Sequence, residues 1–401
     1  MGLADRRELS VPVAGRAQWL PFHQPSIGDA EIAEVVDTLR SGWLTTGAKT
    51  RRFEDDFARR LGVGEALAVS SCTAALQLAL RVCGVGPGDD VVVPTYTFTA
   101  TAEVVTHLGA RPVLADVDPA TCNLDAATLE RALTPRSKAV VPVHIGGLPC
   151  AMDGIMEVAR GRGLAVVEDA AHALPGCFRG RPLGTIGDVG AFSFYATKNI
   201  TTGEGGMLVA RDPDRAEEAR LLALHGMSRD AWKRYSSAGQ WRYSVVANGY
   251  KSNLDDVASS LGIHQLARLD AFHARRRAIA ERYADGLDGL DAIGVPADAA
   301  PGDQHAWHLY MVRIRPDALR IGRDAFIEEL RARNIGTSVH FIPLHLHPYY
   351  QRAWGYAPGD LPGAEQAFAD VLSLPLYPAM TDDDVDDVVA AVIDVVQVHG
   401  R

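Results

Sequence analysis

The chain contains 401 residues, and 47% of them are hydrophobic, which is enough for one large and one smaller domain with buried cores. Its 50 acidic residues outnumber its 40 basic residues and give a formal net charge of −10 at pH 7. An acidic balance argues against sequence-independent binding of nucleic acids, because such binding requires a basic surface. We therefore expect no nucleic-acid partner.

The cysteines indicate a reducing compartment, and the hydropathy of the chain bears on secretion and on membrane spans. The five cysteines are odd in number and include no CxxC pair, so neither a disulfide framework nor a zinc site is indicated. The first 20 residues lack the apolar core of a secretory signal, and no apolar run reaches the roughly 20 residues of a membrane span. These features predict a cytoplasmic protein without a membrane partner.

The first elements of the chain are predicted to be helical. Residues 1–20 are predicted to form an arm, and the capped helix that follows ends at Gly42. A second helix places Phe53, Phe57 and Leu61 on one face, which predicts that this face is buried.

The stretch from residue 66 is typical of a strand, a tight turn and a helix. Its turn, Ser70 to Thr73, lies where the helix begins. Free backbone N–H groups and the helix dipole favour anion binding at such a turn. An ordinary Ser/Thr helix cap is the alternative interpretation.

Strands and helices alternate from this point to about residue 210, which predicts a mostly parallel sheet covered on both faces. Leu221 to Gln240 is then predicted to be a helix and a loop. No GxGxxG follows the first strand, and no GxxxxGK[ST] occurs. The Rossmann and P-loop interpretations therefore fail on their motifs.

Residues 166–206 carry the clearest chemical signal. One apolar run ends in Glu168 and Asp169, and a second run, Val189 to Phe194, is followed by Lys198. Ligands of open α/β sheets bind at the carboxyl ends of strands, where Asp169 and Lys198 would both lie. This pair suits pyridoxal phosphate, whose aldehyde needs an amine and whose pyridinium nitrogen needs an anion. A surface lysine beside an acidic strand end is the alternative.

The motifs EDAAHA, at residues 168–173, and SFYATKNITTGEGG, at residues 193–206, resemble the DegT/DnrJ/EryC1/StrS family. Members of this family are pyridoxal-phosphate-dependent nucleotide-sugar aminotransferases, and the similarity covers roughly Phe22 to Val395. The resemblance implies an α/β fold of the aspartate aminotransferase type, fold type I of the pyridoxal phosphate enzymes. It implies a large domain with a mostly parallel sheet and a smaller C-terminal α+β domain.

The resemblance also assigns residues to the cofactor. Lys198 would bind the aldehyde and Asp169 would keep the pyridinium protonated, so these are the two predicted catalytic residues. Phe98 would stack on the ring, with a core Phe at a helix start as the alternative, and His172 would contact the phenolic oxygen. Ser193 could donate a hydrogen bond to the phosphate. The predicted cofactor-binding set is Cys72, Thr73, Phe98, Asp169, His172, Ser193, Lys198 and Asn253.

The segment GYKSNLDD, at residues 249–256, resembles a family loop that one subunit inserts into its partner's active site. Asn253 would reach the partner's cofactor phosphate, with Lys251 close by; a solvent loop that caps a helix is the alternative. Thr45, in a TTG turn, and His340 match positions near the sugar. Thr45, Lys251 and His340 are therefore the predicted substrate contacts, and the resemblance implies a homodimer with shared active sites.

The pattern after about residue 289 predicts an α+β domain. HAWHLYMVRI alternates like a strand, RDAFIEELRARNI is amphipathic and helical, and GTSVHFIP is predicted to be a strand. LSLPLYPAM is predicted to be a loop before a final helix, which Thr381 and three Asp residues begin. We place the large domain at residues 21–265 and the smaller domain at residues 266–401.

The histidines do not predict a metal site. His305 and His308 form an HxxH pair, but residues i and i+3 of a strand face opposite sides. No acidic residue completes a ligand set, so no metal is expected. His144, which ends an earlier strand, is as compatible with a structural role as with a role in the site.

The resemblance implies an aminotransferase that uses L-glutamate to aminate a nucleotide-linked keto-sugar. The motifs are most similar to those of enzymes that aminate C4 of a 4-keto-6-deoxy sugar, and amination at C3 or of a keto-inositol is the alternative. A dehydratase branch of the family has histidine in place of the lysine, so Lys198 favours transamination. A regulator that binds pyridoxal phosphate is a further alternative, although the chain shows no basic helix-turn-helix or basic tail.

Overall fold

The computed structural model describes residues 16–228 and 243–401. Residues 1–15 of the predicted arm lie outside the described residues, as do residues 229–240 of the predicted helix and loop. Among the described residues, no helix is long and apolar enough to cross a membrane.

The described elements alternate as the sequence predicts. The strands are β1 (Ala66–Val69), β2 (Asp90–Pro94), β3 (Arg111–Ala115), β4 (Ser137–Val140), β5 (Ala165–Asp169), β6 (Cys177–Phe178), β7 (Arg181–Pro182), β8 (Val189–Ser193), β9 (Gly206–Ala210), β10 (Ile293–Gly294), β11 (Tyr310–Ile314) and β12 (Val371–Leu374). The helices are α1 (Asp29–Ser41), α2 (Ala48–Leu61), α3 (Cys72–Val82), α4 (Ala100–His107), α5 (Ala126–Ala132), α6 (Met152–Arg162), α7 (Pro213–Ala223), α8 (Asp256–Ala267), α9 (Leu269–Leu287), α10 (Arg323–Ala332), α11 (Pro348–Trp354), α12 (Pro362–Asp370) and α13 (Asp382–His399).

A seven-stranded sheet forms the centre of the larger unit, in the order β1-β9-β8-β5-β4-β2-β3. Strands β3, β2, β4, β5 and β8 run parallel to one another, and β9 runs antiparallel to both of its neighbours. The strands are short and largely buried, because helices cover the sheet. The prediction of a mostly parallel sheet is confirmed.

Helix α2 covers this sheet through aromatic side chains. Phe53 and Phe57 are fully buried, and Leu61 is buried beside them, as the sequence predicts. The Phe57 and Phe192 ring centroids lie 5.1 Å apart, and so do those of Phe53 and Phe194. Since Phe192 belongs to β8, this packing fixes the strand that leads into the Lys198 turn.

The smaller unit contains a three-stranded antiparallel sheet, β10-β11-β12, which packs with α9, α10 and α13. Leu20, predicted to end the arm, forms a bridge with Ile335 and lies in the core of this unit. The N-terminal segment thus adds to the smaller unit before the chain enters the larger one.

Three details of the C-terminal half differ from the sequence predictions. Strand β11 begins at Tyr310, so His305 and His308 do not lie in a strand and the argument about their facing is wrong. The predicted strand GTSVHFIP forms only a bridge between Ser338 and Ser373. The stretch LSL, predicted to be a loop, belongs to β12, whose residues are all buried and therefore show no alternation.

Candidate active site

Asp169 ends strand β5 and is buried. Thr101 Oγ1 donates a hydrogen bond to Asp169 Oδ2 (2.8 Å), and the N–H of Ala171 donates to Oδ1 (3.2 Å). Burial raises the pKa of this carboxyl, whereas both donors and the charge of Lys198 act in the opposite direction and favour the carboxylate. Among the described residues no Lys or Arg forms an ion pair with Asp169, so a bound cationic group would supply the missing partner.

Lys198 lies in the turn that follows β8, and its side chain is partly buried. The N–H of Lys198 donates to the carbonyl of Tyr195 (2.9 Å), which closes the turn. Burial lowers the pKa of the amine from 10.5 to about 8, although Cys72 and Asp169 oppose the shift. The uncharged amine is the nucleophilic form, so the site holds a lysine suited to attack a carbonyl carbon.

The start of helix α3 provides backbone donors. Ser71 Oγ accepts from the N–H of Ala74 (3.1 Å) and caps the helix. The N–H groups of Cys72 and Thr73 lie in the first turn, where no acceptor within the helix is available. A Cβ on Gly206 would lie 2.5 Å from the carbonyl carbon of Ser71 and 2.6 Å from the nitrogen of Cys72. Only glycine therefore allows β9 to run this close to the helix start.

Cys72 connects the helix start electrostatically to the two charged residues of the site. Burial raises the pKa of the Cys72 thiol well above its usual value, and the carboxylate of Asp169 adds to this effect. The thiol therefore stays protonated and does not compete with Lys198 as a nucleophile. Cys72, Asp169 and Lys198 are thus close enough to influence one another's protonation.

These groups fit pyridoxal phosphate. The α3 start and the hydroxyl of Ser193, which ends β8, are donors suited to a phosphate. Ser193, His172 and Lys198 line one small cavity. The buried carboxylate of Asp169 suits a pyridinium nitrogen, and the amine of Lys198, whose pKa is lowered, suits an aldehyde.

Two histidine rings in contact lie near Lys198. The rings of His172 and His308 have centroids 4.3 Å apart at an interplanar angle of 36°. The N–H of Gly146 donates to His172 Nδ1 (3.3 Å), so the proton of this ring lies on Nε2. His308 Nδ1 donates to Oδ1 of Asn199 (3.0 Å), whose amide nitrogen donates to two backbone carbonyls. Burial lowers the pKa of both imidazoles well below 6.5, so both are neutral.

The ring of Phe341 lies close to three of the predicted residues. Its centroid is 6.2 Å from the ring centroid of Phe98, 5.9 Å from that of His172 and 5.1 Å from that of His340. His340 Nδ1 hydrogen-bonds Ser373 Oγ (3.0 Å), and burial lowers the pKa of His340 to about 4. Phe98 is 60% exposed, which leaves its ring available for stacking.

The remaining predicted residues form a second cluster at the end of β1. The backbone of Asn253 forms a bridge with Val69, its Nδ2 donates to Thr46 Oγ1 (2.6 Å), and Lys251 Nζ donates to its Oδ1. Thr45 lies next to Thr46 and is exposed. Among the described residues no hydrogen bond joins this cluster to the cofactor cavity, and its action in a partner's site stays a prediction.

His144 has the contacts of a structural histidine. It is fully buried, its Nε2 donates to Glu168 (3.0 Å) and its Nδ1 accepts from the N–H of Cys150 (3.1 Å). Glu168 also accepts backbone N–H groups from Gly184, Ile186 and Gly187. Both ring nitrogens are therefore satisfied, and His144 supports the strand that carries Asp169.

Several site residues were not predicted from the sequence. Thr101, which bonds Asp169, lies in a Thr-rich run in which nothing distinguishes one threonine from another. His23 Nε2 donates to the carbonyl of Ala196 (3.0 Å) and so holds the turn of Lys198, and burial lowers its pKa to about 4. Asn199 had one available signal, since it follows the lysine directly.

Comparison with known proteins decides the family. The sequence profile of the DegT/DnrJ/EryC1/StrS aminotransferase family matches residues 25–393. The chain belongs to this family. This aminotransferase is 51% identical over 386 residues to the spore coat polysaccharide biosynthesis protein SpsC of Bacillus subtilis (strain 168). The alignment covers 96% of this chain and 99% of that protein.

Solved structures agree with this assignment. The crystal structure of the aminotransferase TlmJ from Streptoalloteichus hindustanus has a TM-score of 0.85 and 43% identity, over 93% of this chain and 97% of that one. The pyridoxal phosphate form of Spr1654 from Streptococcus pneumoniae has a TM-score of 0.88 and 36% identity, over 94% and 99%. The fold is therefore that of a fold type I aminotransferase. The protein is a pyridoxal-phosphate-dependent sugar aminotransferase, and the bound cofactor supplies the electron sink for amino-group transfer.

The pKa of Lys198 predicts a pH profile for cofactor uptake by this aminotransferase. The uncharged amine is lost as the pH falls through about 8. The rate of uptake should therefore fall about tenfold per pH unit well below that value. Stopped-flow absorbance after mixing the cofactor-free protein with pyridoxal phosphate measures this rate. The reaction of pyridoxal phosphate with N-acetyl-lysine is the control, because it shows the pH dependence that comes from the titration of the cofactor. A midpoint near 10.5 would contradict the argument.

The contact at Gly206 predicts a loss of cofactor affinity. In Gly206→Ala the new Cβ would push the start of α3 away from β9, so the affinity for pyridoxal phosphate should fall by about tenfold or more. Gly64→Ala is the matched control, because no atom lies within 4 Å of its added Cβ. Fluorescence titration of the cofactor-free variants measures both, and unchanged affinity in a natively folded Gly206→Ala would contradict the assignment of the phosphate to this turn.

Proposed function

We propose that the protein transfers the amino group of L-glutamate to C4 of a nucleotide-linked 4-keto-6-deoxy sugar. The observation that carries this proposal is the lysine with a lowered pKa beside a buried carboxylate, within motifs most similar to those of C4-aminating enzymes. The name of the Bacillus subtilis relative, a polysaccharide biosynthesis protein, supports a role in making an amino sugar. The five free cysteines support a reducing cytoplasm as the compartment.

The side chains of the site have separate tasks in this proposal. Lys198 would take the proton that leaves the α-carbon of the donor and deliver it to the carbon that was the aldehyde of the cofactor, which requires the amine to be uncharged when it accepts the proton. Asp169 holds the pyridinium nitrogen protonated. His172 donates from Nε2 to the phenolic oxygen, and its neutral state adds no positive charge beside Lys198. Phe98 stacks on the ring through its exposed face.

The sugar and its nucleotide would lie outside this cavity. His340 is neutral and offers a hydrogen-bonding ring to the sugar. Lys251 is exposed and carries a positive charge that suits a diphosphate. Thr45 adds an exposed hydroxyl beside this lysine's cluster. These three residues form the proposed contact surface for the acceptor.

A substrate panel tests the proposal. Purified protein is supplied with L-glutamate and with dTDP-, UDP- and GDP-linked 4-keto-6-deoxy and 3-keto sugars and a keto-inositol, and mass spectrometry detects the amine. We expect the amine from a 4-keto-6-deoxy sugar, and Lys198→Ala should form none. A product only from the 3-keto sugars or the keto-inositol would replace the proposed acceptor. A yellow protein that glutamate does not bleach would refute glutamate as the donor.

The cluster around Asn253 leads to a proposal about assembly. We propose that the protein is a homodimer in which Asn253 and Lys251 of each chain act in the active site of the other. Asn253 has a side-chain amide that can donate to a phosphate, and Lys251 lies on the same exposed turn. A two-fold axis would bring each loop to the partner's site in an isologous arrangement.

Subunit exchange tests this shared-site arrangement. In a mixed dimer of Lys198→Ala and Asn253→Ala chains, one site carries both changes and the other carries neither, so activity should rise on mixing. Asn253→Ala alone should weaken cofactor binding by about ten- to a hundredfold, because a hydrogen bond to a charged phosphate is lost. Activity is measured at limiting cofactor after exchange.

The control exchange uses Lys198→Ala with Asp169→Asn, two changes in side chains of one chain that influence each other electrostatically. Both sites of this mixed dimer carry one change, so no activity should return. Equal behaviour of the two mixtures, with mixed dimers demonstrated by native mass spectrometry, would show that Asn253 acts in its own chain's site.

A further inference from the structure

Arg276 is a buried charge without a counter-charge. It lies in helix α9 and only 1% of its surface is exposed. One terminal nitrogen donates to the carbonyls of Trp307 (3.2 Å), His308 (3.3 Å) and Leu376 (2.8 Å). Its Nε and its other terminal nitrogen have no hydrogen-bond partner. Among the described residues no Asp or Glu forms an ion pair with it.

Such an arrangement is energetically costly. Burial lowers the pKa of Arg276 to about 9, but the guanidinium still carries its charge at neutral pH. A buried charge and two unpaired donors each lower stability unless a partner binds them. The other arginines of α9 differ, because Arg275 pairs with Asp382 (2.7 Å), Arg277 with Glu281 (3.5 Å) and Arg282 with Asp386 (2.5 Å).

Arg276 shares a narrow cleft with the catalytic lysine. The cleft is also lined by Lys198, His23, Ser26 and Gln265. Its free volume is only large enough for a group the size of a water molecule, so a ligand would enter it with an oxygen atom rather than with a sugar ring. Arg276 and Lys198 thus border the same cleft.

The protein itself does not neutralise this cleft. None of its described lining residues is an Asp or a Glu. Gln265 donates to Glu31 (2.8 Å), but Arg268 already holds the same oxygen of that carboxylate (2.9 Å). His23 donates from Nε2 to a backbone carbonyl, and burial together with the charge of Arg276 lowers its pKa to about 4. The cleft thus presents a cation beside neutral groups.

We propose that Arg276 binds a carboxylate of the amino donor. The two free nitrogens of Arg276 lie on one edge of the guanidinium and can both donate to a single carboxylate oxygen, which is the size of group that the cleft admits. A donor bound there would present its amine toward Lys198, and donors without a carboxylate would leave the buried charge unpaired. The inference rests on the proposed function, in which the donor is an amino acid.

Equilibrium binding of glutarate to the holoenzyme tests the proposal without catalysis. Glutarate carries two carboxylates and no amine, and glutaramide is its uncharged counterpart. The wild-type protein should bind glutarate at least about tenfold more tightly than glutaramide, as followed by the shift in thermal midpoint. Equal binding of the two probes would overturn the proposal even if every Arg276 variant failed to fold.

Variants then locate the interaction. Arg276→Gln should weaken glutarate and donor binding by about ten- to a hundredfold, and Arg276→Lys, which keeps the charge but loses the two donors on one edge, by less. The KM of the keto-sugar should stay unchanged. The matched control is Arg277→Gln, one residue further along α9 and exposed, which should leave both substrates unaffected. Unchanged glutarate affinity in folded Arg276→Gln, or equal weakening of donor and acceptor, would overturn the proposal.

Two donors identify which carboxylate is bound. If Arg276→Gln weakens the binding of L-glutamate and of L-glutamine equally, Arg276 binds the α-carboxylate, because it is the only carboxylate that both amino acids carry. If the substitution weakens the binding of L-glutamate alone, Arg276 binds the side-chain carboxylate. Either result supports the proposal. If L-glutamate does not bleach the yellow wild-type holoenzyme at all, the proposed donor is wrong. The preference for glutarate over glutaramide still tests whether Arg276 binds a carboxylate.

Discussion

The chemistry of this protein depends on making the amine of Lys198 easier to deprotonate although the carboxylate of Asp169 lies near it. Attraction between the two groups would raise the pKa of the amine, as it does in an ion pair in water. Burial opposes this attraction and lowers the pKa to about 8, while Thr101 and Ala171 stabilise the carboxylate by hydrogen bonds. The protein thus stabilises the carboxylate with neutral donors, and the pKa of the amine stays low enough for its uncharged form to be accessible near neutral pH.

The sheet makes this arrangement possible by bringing distant positions together. Strands β5 and β8 are parallel neighbours, so the residues at their carboxyl ends, Asp169 and Ser193, lie on one edge. Strand β9 then returns antiparallel, and Gly206 at its start contacts the beginning of α3. Buried strands and phenylalanine packing from α2 therefore hold the strand ends that carry Asp169 and Ser193.

Sequence reasoning identified the residues whose signal is local and missed those whose signal is a contact. Asp169 ends one apolar run and Lys198 follows another within a few residues, which is enough to predict that the first lies at a strand end and the second in the turn after a strand. Thr101 is 68 residues from Asp169, and His308 is 109 residues from Asn199, so neither pair is visible before the chain is folded. Strand β12 was missed for a different reason, since complete burial removes the alternation that marks a half-exposed strand.

Asn199 shows how the smaller unit takes part in the chemistry. Its amide nitrogen donates to the carbonyls of Leu174 (2.5 Å) and Ala306 (2.9 Å), and its oxygen accepts from His308. This one side chain therefore ties the residue after Lys198 to the segment that leads into β11. Arg276 holds the same segment from the other side through the carbonyl of His308. A shift of this segment would change the position of the amine and of the buried guanidinium together, so the two units have to pack correctly before the site is complete.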